Sequence, residues 1–339
     1  MTAKAREGDL IQTREGLIFD VKGLVHPVKR VIAFPRFIPD PCGNREREGI
    51  VYKKVYNIER RYRILKRQYP HYLVDDPVFG ECLSEVPKID ILHHHIPVDH
   101  LRELKNDCKL DALETDALRL TELLHDYANV PWNKLGISGS LLVKLHTSLS
   151  DIDPIVYGQR SCRKVFEALE SLVRSNCRPI KAYTIEGLKI LYGFRVKDTR
   201  MSFDQFMATE CRKILQGKFL GREFYIRCVK DWTEVDENYG DVRYKSVGYA
   251  RLKATISDNS EAIFTPCRYS LEKVQLLEGK NCGNVTEIAS FRGRFCEQAK
   301  IGEVVVAQGK VERVETKTGD TFFRLLLGGK RSDFMVLAD

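Results

Sequence analysis

The sequence predicts an α/β (α+β) fold that ends in a β-rich small barrel or sandwich. Apolar residues recur at helical spacing over residues 97–105, 112–129 and 160–175. A strand, a Gly-Ser bend and a short helix follow one another over residues 135–146. Short β-rich runs separated by Gly, Asn and Asp fill residues 239–339, a pattern typical of small β domains.

The N-terminal part begins with β structure and continues with a basic helix. Residues 10–40 contain two β-rich runs, 17–25 and 31–34, with prolines after the second. From 49 to 67 apolar residues recur every three or four positions, which predicts a helix with one buried stripe. Residues 70–100 contain Pro and His without a clear period, so we expect a connecting segment there.

The remaining elements follow from the same patterns. We expect a strand from 150 to 158, a mainly helical stretch from 184 to 216 and a strand from 223 to 229. Within the tail, the expected strands are 248–256, 262–264, 304–314 and 321–327.

A chain of 339 residues is long for one domain. The pattern favours an N-terminal β and basic helical region at 1–105, a central core at 106–238 and a β-rich C-terminal domain at 239–339.

Positive charge is concentrated at the N-terminus. Residues 1–70 hold 16 Lys and Arg against 8 Asp and Glu, and the rest of the chain is balanced. This asymmetry indicates a polyanionic partner. The side chains predicted to contact this partner, RNA or another nucleic acid, are Lys53, Lys54, Arg60, Arg61 and Arg67. A solvated helix is the alternative.

Several protein classes are disfavoured. No apolar run is long enough to span a bilayer, and residues 1–9 lack the apolar core of a secretory signal. The ten cysteines form no C-x-x-C pair, which disfavours a zinc ribbon or a dithiol redox centre. We therefore expect a cytoplasmic protein with reduced thiols.

The residues that carry chemistry lie between 136 and 158. Gly139 permits a tight bend, and Ser140 offers a hydroxyl and an N–H at a helix start, where anions are favoured. Asp151 and Asp153 are two positions apart in an extended segment, so their carboxylates project from one face. Paired carboxylates repel unless a cation lies between them, and oxygen ligands suit Mg²⁺. The pattern predicts a phosphate cradle facing a metal site.

This pattern resembles the signature of the DNA polymerase beta-like nucleotidyltransferase superfamily. The chain is also similar to a group of uncharacterised archaeal proteins described as predicted nucleotidyltransferases. The matching residues are Gly136-Ile137-Ser138-Gly139-Ser140-Leu141-Leu142, Ser150-Asp151-Ile152-Asp153 and Val156-Tyr157-Gly158.

The resemblance implies a nucleotidyltransferase-type mixed sheet with flanking helices, a nucleoside triphosphate substrate and dependence on Mg²⁺ or Mn²⁺. It implies that Asp151 and Asp153 are catalytic and hold the metal. Gly139, Ser140 and Ser150 would bind the nucleotide. It leaves the acceptor open.

The same resemblance implies a third carboxylate from a later strand. The natural alignment puts Arg227 at that position, with Glu223 and Asp231 as the nearest acids. We take Glu223 as the candidate third acid. The alternative function is a catalytically degenerate protein of the same fold that binds nucleotide or nucleic acid. Pro154, directly after the second aspartate, also departs from the pattern.

The run His93-His94-His95 has no metal-ligand spacing around it, because adjacent side chains point in different directions. We expect these histidines to have surface or packing roles.

Overall fold

The computed structural model describes residues 4–175, 179–279 and 283–338. Helices and strands are mixed over this part, which confirms the α+β class. The chain divides into two compact units. Unit 1 comprises Met1–Val74, Leu83–Ala182 and Ile214–Asp236, and unit 2 comprises Asp75–Cys82, Tyr183–Lys213 and Glu237–Asp339. Unit 1 therefore contains most of the expected N-terminal region, 1–105, together with most of the expected core, 106–238.

The helices of the described residues are numbered in chain order. They are α1 Ile58–Gln68, α2 Pro97–Asn106, α3 Ala112–Ala128, α4 Gly139–Leu142, α5 Gln159–Arg174, α6 Ile185–Arg195 and α7 Phe203–Glu210. None of them is both long enough and apolar enough to cross a membrane.

The strands of the same residues are numbered likewise. They are β1 Leu10–Thr13, β2 Ile18–Val21, β3 Arg30–Pro39, β4 Arg45–Arg47, β5 Ile50–Lys54, β6 Leu73–Asp76, β7 Glu81–Pro87, β8 Ile91–His95, β9 Leu135–Ile137, β10 Pro154–Tyr157, β11 Ile180–Lys181, β12 Gln216–Phe219, β13 Arg222–Tyr225, β14 Arg227–Val229, β15 Val242–Asp258, β16 Cys267–Gly279, β17 Val285–Ser290, β18 Val304–Thr316, β19 Thr321–Leu327 and β20 Phe334–Leu337.

The predicted helix from 49 to 67 was wrong in its first half. Residues 50–54 form β5, which pairs with β3 and β4, and α1 begins only at Ile58. Asn57 sets that start, because its side chain accepts a hydrogen bond from the backbone N–H of Arg60 at 2.9 Å. Residues 70–100 are also strands rather than a connecting segment, since β6, β7 and β8 lie there.

The large sheet of unit 1 has the strand order β4-β5-β3-β2-β1-β8, and β7 pairs with one end of β3. One buried cluster packs α1 against this sheet through Leu65, Phe19 and Val31. A second cluster joins the sheet to the end of α4 through Phe37, Tyr52 and Leu142. These two layers of apolar burial fix the sheet beside the Gly-Ser bend.

A second sheet of unit 1 holds the motif. In the order β14-β10-β9, β10 runs antiparallel to β9 and parallel to β14, so the sheet is mixed. Asp151 and Asp153 precede β10 in an extended segment anchored by a bridge between Ile152 and Phe224. Pro154 is the first residue of β10, a position where a missing N–H is tolerated.

The expected strand 223–229 is split between two sheets. β13 pairs with β12 in a third sheet, β11-β12-β13, whereas β14 pairs with β10. The switch occurs at Ile226, whose backbone N–H donates to the carbonyl of Leu215 at 2.7 Å.

The predicted helices 97–105, 112–129 and 160–175 are confirmed as α2, α3 and α5. α3 starts at Asp111, which forms a capping box with Glu114, and ends at Asn129 in the left-handed conformation. α4 is a single turn, shorter than the predicted stretch to residue 146.

The β-rich tail forms a barrel within unit 2. Its strands follow the order β15-β16-β17-β19-β18, and β15 also pairs with β18, so the ring of pairings closes. β20 adds to β18 outside this ring. The closed core includes Leu252, Ile288 and Val305. The expected strand 262–264 is instead a turn between β15 and β16.

Candidate active site

The bend at Gly139 packs directly against the carboxylate of Asp153. Gly139 has φ +67°, and a Cβ added there would lie 2.0 Å from Asp153 Oδ2. The preceding residue, Ser138, donates its backbone N–H to the carbonyl of Asp153 at 2.9 Å. The Ser138 hydroxyl donates to the carbonyl of Gly8 at 2.7 Å. Both the backbone angle and the lack of space therefore require glycine at 139.

Ser140 follows this bend with a buried hydroxyl. Among the described residues, its Oγ has no hydrogen-bond partner. A buried, unpartnered hydroxyl retains its capacity to bind a ligand. Because α4 has only four residues, its dipole contributes little, and the expected helix-start effect is weaker than the sequence indicated.

Asp151 and Asp153 differ in environment. The side chain of Asp151 is 44% exposed, which gives the pair an opening to solvent. Burial, followed by the nearby Asp151 carboxylate, raises the pKa of Asp153 to about 6. Lys54, Arg227 and Arg36 act in the opposite direction and hold that pKa lower than burial alone would. The pair is therefore an acidic centre that favours a proton or a cation.

Lys54 lies beside this acidic centre rather than on a nucleic-acid-binding helix. Its Nζ is 3.9 Å from Asp151 Oδ1, and its side chain is only 6% exposed. Lys54 and Arg36 both lie over the ring of Tyr56, at 5.1 and 5.0 Å from the ring centroid. β5 and β3 therefore deliver two cations to the site. The β-rich run 50–54 was the signal for this placement, and the helical period assigned to 49–67 obscured it.

Arg227 is held by acids of the N-terminal part. Its Nη1 lies 3.0 Å from Glu7 Oε1 and 3.7 Å from Asp20 Oδ1. Burial alone would raise the pKa of Asp20, but the cations Lys22, Arg227 and Arg36 hold it well below its usual range. Burial would lower the pKa of Arg227, but these carboxylates raise it. Arg227 is thus a fixed cation within electrostatic reach of the aspartates.

Sequence reasoning missed Glu7, Asp20 and Arg36. Glu7 is fully buried and also accepts the N–H of Gly23 at 2.8 Å and the ammonium of Lys22 at 3.0 Å. For Asp20, the available signal was a charged residue inside the β-rich run 17–25, because a buried charge needs a partner.

The candidate third acid, Glu223, has an exposed side chain, and its carbonyl accepts the N–H of Ile152 at 2.9 Å. The other candidate, Asp231, caps the turn at Trp232 and is ion-paired with Lys134. Within residues 4–175, 179–279 and 283–338, no group of three or more His, Cys, Asp or Glu is placed to hold a metal ion. The structure therefore does not assemble a third acid with the two aspartates.

Ser150 has a structural environment. Its buried Oγ accepts the backbone N–H of Thr147 at 3.0 Å and lies 3.4 Å from the guanidinium of Arg45. These contacts shape the turn that leads into Asp151.

The structure places the predicted nucleic-acid contacts in different environments. Lys53 is paired with Asp40 at 3.6 Å. Arg61 is buried and donates twice to the carbonyl of Val55, at 3.2 and 3.0 Å, so its role is in folding. Arg60 and Arg67 line an open groove of about 700 Å³.

The histidines 93–95 lie in β8, where His94 bonds Asp9 at 2.8 Å and burial lowers the pKa of His95 to about 4. Cysteines 162, 228, 267 and 296 are buried free thiols, whereas 42, 82, 108 and 211 are exposed. Cys177 and Cys282 lie outside the described residues.

Comparison with known proteins gives a full-length relative. No family model and no solved structure matches the chain. The chain is 32% identical over 340 residues to the "Uncharacterized protein MJ1086" of Methanocaldococcus jannaschii. The alignment covers 98% of this chain and 97% of that protein, so the two sequences match over almost their full lengths. The chain belongs to the same protein family as this archaeal relative.

Proposed function

We propose that this protein is a Mg²⁺-dependent nucleotidyltransferase that moves a nucleoside monophosphate from a nucleoside triphosphate to an acceptor. The observation that carries the proposal is the packing of the Asp153 carboxylate against the Gly139 bend, with the partly exposed Asp151 beside it. The sequence resemblance to the polymerase beta-like superfamily rests on these same residues.

Asp151 and Asp153 suit a divalent cation. Burial and mutual repulsion raise the pKa of Asp153, and a bound cation relieves both effects. Carboxylate oxygens at an opening to solvent are the ligands that Mg²⁺ and Mn²⁺ prefer, together with water and phosphate. When bound, such a metal polarises the α-phosphate and lowers the pKa of the attacking hydroxyl.

The surrounding cations suit a triphosphate. Lys54 lies 3.9 Å from the Asp151 carboxylate, and Lys54 and Arg36 both lie over the ring of Tyr56. Arg227 is held rigidly by Glu7 and Asp20, so little side-chain freedom is lost when it approaches an anion. The free hydroxyl of Ser140 and the close backbone approach at Gly139 complete the phosphate contacts.

The chain's own residues then have distinct tasks. Asp151 and Asp153 would hold the metal ion that contacts the reacting phosphate. Lys54, Arg36 and Arg227 neutralise the charge that builds up on the phosphates as the bond to the leaving pyrophosphate breaks. These cations would supply part of the positive charge that a second metal ion, held by a third carboxylate, would otherwise provide.

The test is incubation with each α-³²P-labelled nucleoside triphosphate, Mg²⁺ or Mn²⁺, and a pool of cellular RNA and protein. We expect the Asp153→Asn variant to lose roughly 100-fold or more of the incorporated label. The matched control is Asp126→Asn, because the Asp126 side chain is 74% exposed on α3. Incorporation that survives Asp153→Asn would place the active site elsewhere.

The second candidate function is nucleotide binding without turnover. The absence of an assembled third acid among the described residues favours it. It predicts that wild-type protein is stabilised by nucleoside triphosphate and Mg²⁺ but labels no acceptor. Asp153→Asn would then reduce the stabilisation by nucleoside triphosphate and Mg²⁺, and neither protein would label an acceptor.

A further inference from the structure

An open groove of unit 1 lies between α1 and the segment that follows β3. It has a volume of about 700 Å³. One wall is the face of α1 that carries Arg60, Arg63 and Arg67, and the facing wall is formed by residues 38–41. Arg63 was not among the predicted nucleic-acid contacts.

The three groove arginines have no anionic partner. Each is exposed, and no hydrogen bond or ion pair joins its guanidinium to any other described residue. Arg61 on the same helix gives the contrast, because it is buried and bonded to the carbonyl of Val55. α1 therefore directs one arginine inward for folding and leaves three guanidinium groups free in the groove. Such unpaired cations are the groups that release counterions when they bind phosphate.

The spacing of these arginines suits one phosphodiester backbone. A helical rise of 1.5 Å per residue separates Arg60 from Arg67 by about 10 Å along the axis, which spans roughly two or three phosphates. The facing wall carries the apolar side chains of Ile38, Pro39 and Pro41 together with Asp40, whose carboxylate is paired with Lys53 at 3.6 Å. A cationic wall opposite a mainly apolar one fits a single strand, whose phosphates and whose sugars and bases face opposite sides.

The groove leads towards the two aspartates. Ile38 is two residues beyond Arg36 in β3, so their Cα atoms are about 7 Å apart. Asn57, another lining residue, directly follows Tyr56, whose half-exposed ring lies beside Lys54. A strand held by α1 therefore has an end close to the cations of the candidate active site.

We propose that the α1 groove binds the backbone of single-stranded nucleic acid, and that this strand is the acceptor of the transferred nucleotide. The binding follows from the groove alone. The assignment as acceptor rests on the proposed nucleotidyltransferase function. RNA and DNA share the phosphodiester chemistry that the groove recognises, so both are used in the test.

The test measures fluorescence anisotropy of the full chain with fluorescein-labelled single strands of about 12 nucleotides, without nucleoside triphosphate or divalent metal. RNA and DNA of equal sequence are compared with a duplex of the same length. The groove variant combines Arg60→Gln, Arg63→Gln and Arg67→Gln. We expect this variant to bind single strands roughly tenfold more weakly or worse. We also expect the plot of the logarithm of the association constant against the logarithm of the salt concentration to be less steep, by about two in slope.

The control removes equal charge elsewhere in unit 1. Lys109→Gln, Arg160→Gln and Lys181→Gln change exposed side chains away from the groove, and we expect binding within about threefold of wild type. Unchanged melting temperatures of both triple variants would show that both are folded. If both triple variants bound single strands equally weakly, the proposal would be overturned. Binding would then depend on the overall positive charge of the protein and not on the groove. Duplex binding as tight as single-strand binding would overturn the proposal as well.

The outcomes also separate this proposal from the nucleotidyltransferase proposal. Arginine-dependent binding without any nucleotide incorporation would leave the groove in place and remove the acceptor role. If incorporation into nucleic acid did not depend on the three arginines, the groove would not be the acceptor site. The proposed nucleotidyltransferase function would still stand.

Discussion

The ammonium group of Lys54 lies 3.9 Å from a carboxylate oxygen of Asp151, although β5 and the segment before β10 belong to different sheets. This pair joins the basic N-terminal part to the acidic motif. With a side chain only 6% exposed, Lys54 is held in a partly desolvated position, where a charge acts more strongly than on an open surface. Its position suits contact with a substrate anion that approaches Asp151.

We expect Lys54→Met to weaken binding of nucleoside triphosphate by roughly tenfold or more, because one partly desolvated cation is lost from the phosphate site. Isothermal titration calorimetry with Mg²⁺ and each triphosphate provides the measurement. The neighbouring Lys53→Met is the control, since Lys53 is 36% exposed and paired with Asp40. Equal effects of the two substitutions would contradict the assignment of Lys54 to the phosphate site.

Gly139→Ala should damage both stability and activity. The left-handed φ of +67° costs an alanine about 1–2 kcal/mol, and the added Cβ meets the Asp153 carboxylate at 2.0 Å. That carboxylate can move only by leaving its position at the bend, so metal-dependent activity falls with it.

Gly49→Ala is the matched control for this change. Gly49 has a similar φ of +77°, but nothing lies within 4 Å of an added Cβ. Urea unfolding should show a loss of about 1–2 kcal/mol for Gly49→Ala and a further loss of about 1–3 kcal/mol for Gly139→Ala. Equal losses would mean that Asp153 does not pack against the bend in solution.

The backbone conformation around the motif could be predicted, because the residues that determine it lie close together in the sequence. The bend at Gly139, the extended segment with Asp151 and Asp153 and the capped helix α3 each follow from residues close together in the chain. Helix caps, glycine requirements and alternation are short-range effects. The α+β class and the β-rich tail could be predicted for the same reason.

The non-local part of the site could not be predicted. Glu7, Asp20, Arg36 and Lys54 come close to Asp153 and Arg227 only through tertiary contacts between segments that are distant in the chain. The run at 50–54 satisfies a helical period as well as a strand period, and only pairing with β3 selects the strand. A third acid was expected at the position of Arg227, and the buried Glu7 explains how an arginine is accommodated there.

Arg227→Met should destabilise the protein strongly. Glu7 is fully buried and lies 3.0 Å from the Arg227 guanidinium, so removal of the arginine leaves a buried carboxylate with Lys22 as its remaining cation. We expect a loss of roughly 2–4 kcal/mol in the free energy of unfolding. Chemical denaturation of Arg227→Met, Glu7→Gln and the double variant gives the coupling between the two side chains.

The control for this cycle is Arg174→Met, which removes an exposed pair with Glu170 on α5. Its loss should stay below about 1 kcal/mol. A coupling free energy between Glu7 and Arg227 no larger than the loss measured for Arg174→Met would show that Arg227 is not fixed by the buried acid.

The pKa of Asp153 makes a further prediction about pH and metal. Burial and the neighbouring Asp151 carboxylate raise the pKa of Asp153 from its ordinary value of 3.8 to about 6, so folding favours the protonated form. The stabilising contribution is complete below about pH 4 and is lost as the pH rises through about 6. At pH 7.5 without metal, the ionised carboxylate therefore destabilises the protein.

Asp153→Asn removes this titration. Without Mg²⁺, the variant should be more stable than wild type at pH 7.5 by roughly 1–2 kcal/mol, and the difference should shrink at pH 5. Addition of Mg²⁺ should raise the melting temperature of wild type at pH 7.5, with less effect at pH 5 and on the variant, because the cation binds the ionised carboxylate. Thermal unfolding at both pH values with and without Mg²⁺ measures these differences, with Asp126→Asn as the exposed control. A variant that is less stable than wild type at pH 7.5, or a Mg²⁺ effect of equal size in both proteins, would mean that Asp153 is not the ionised metal ligand.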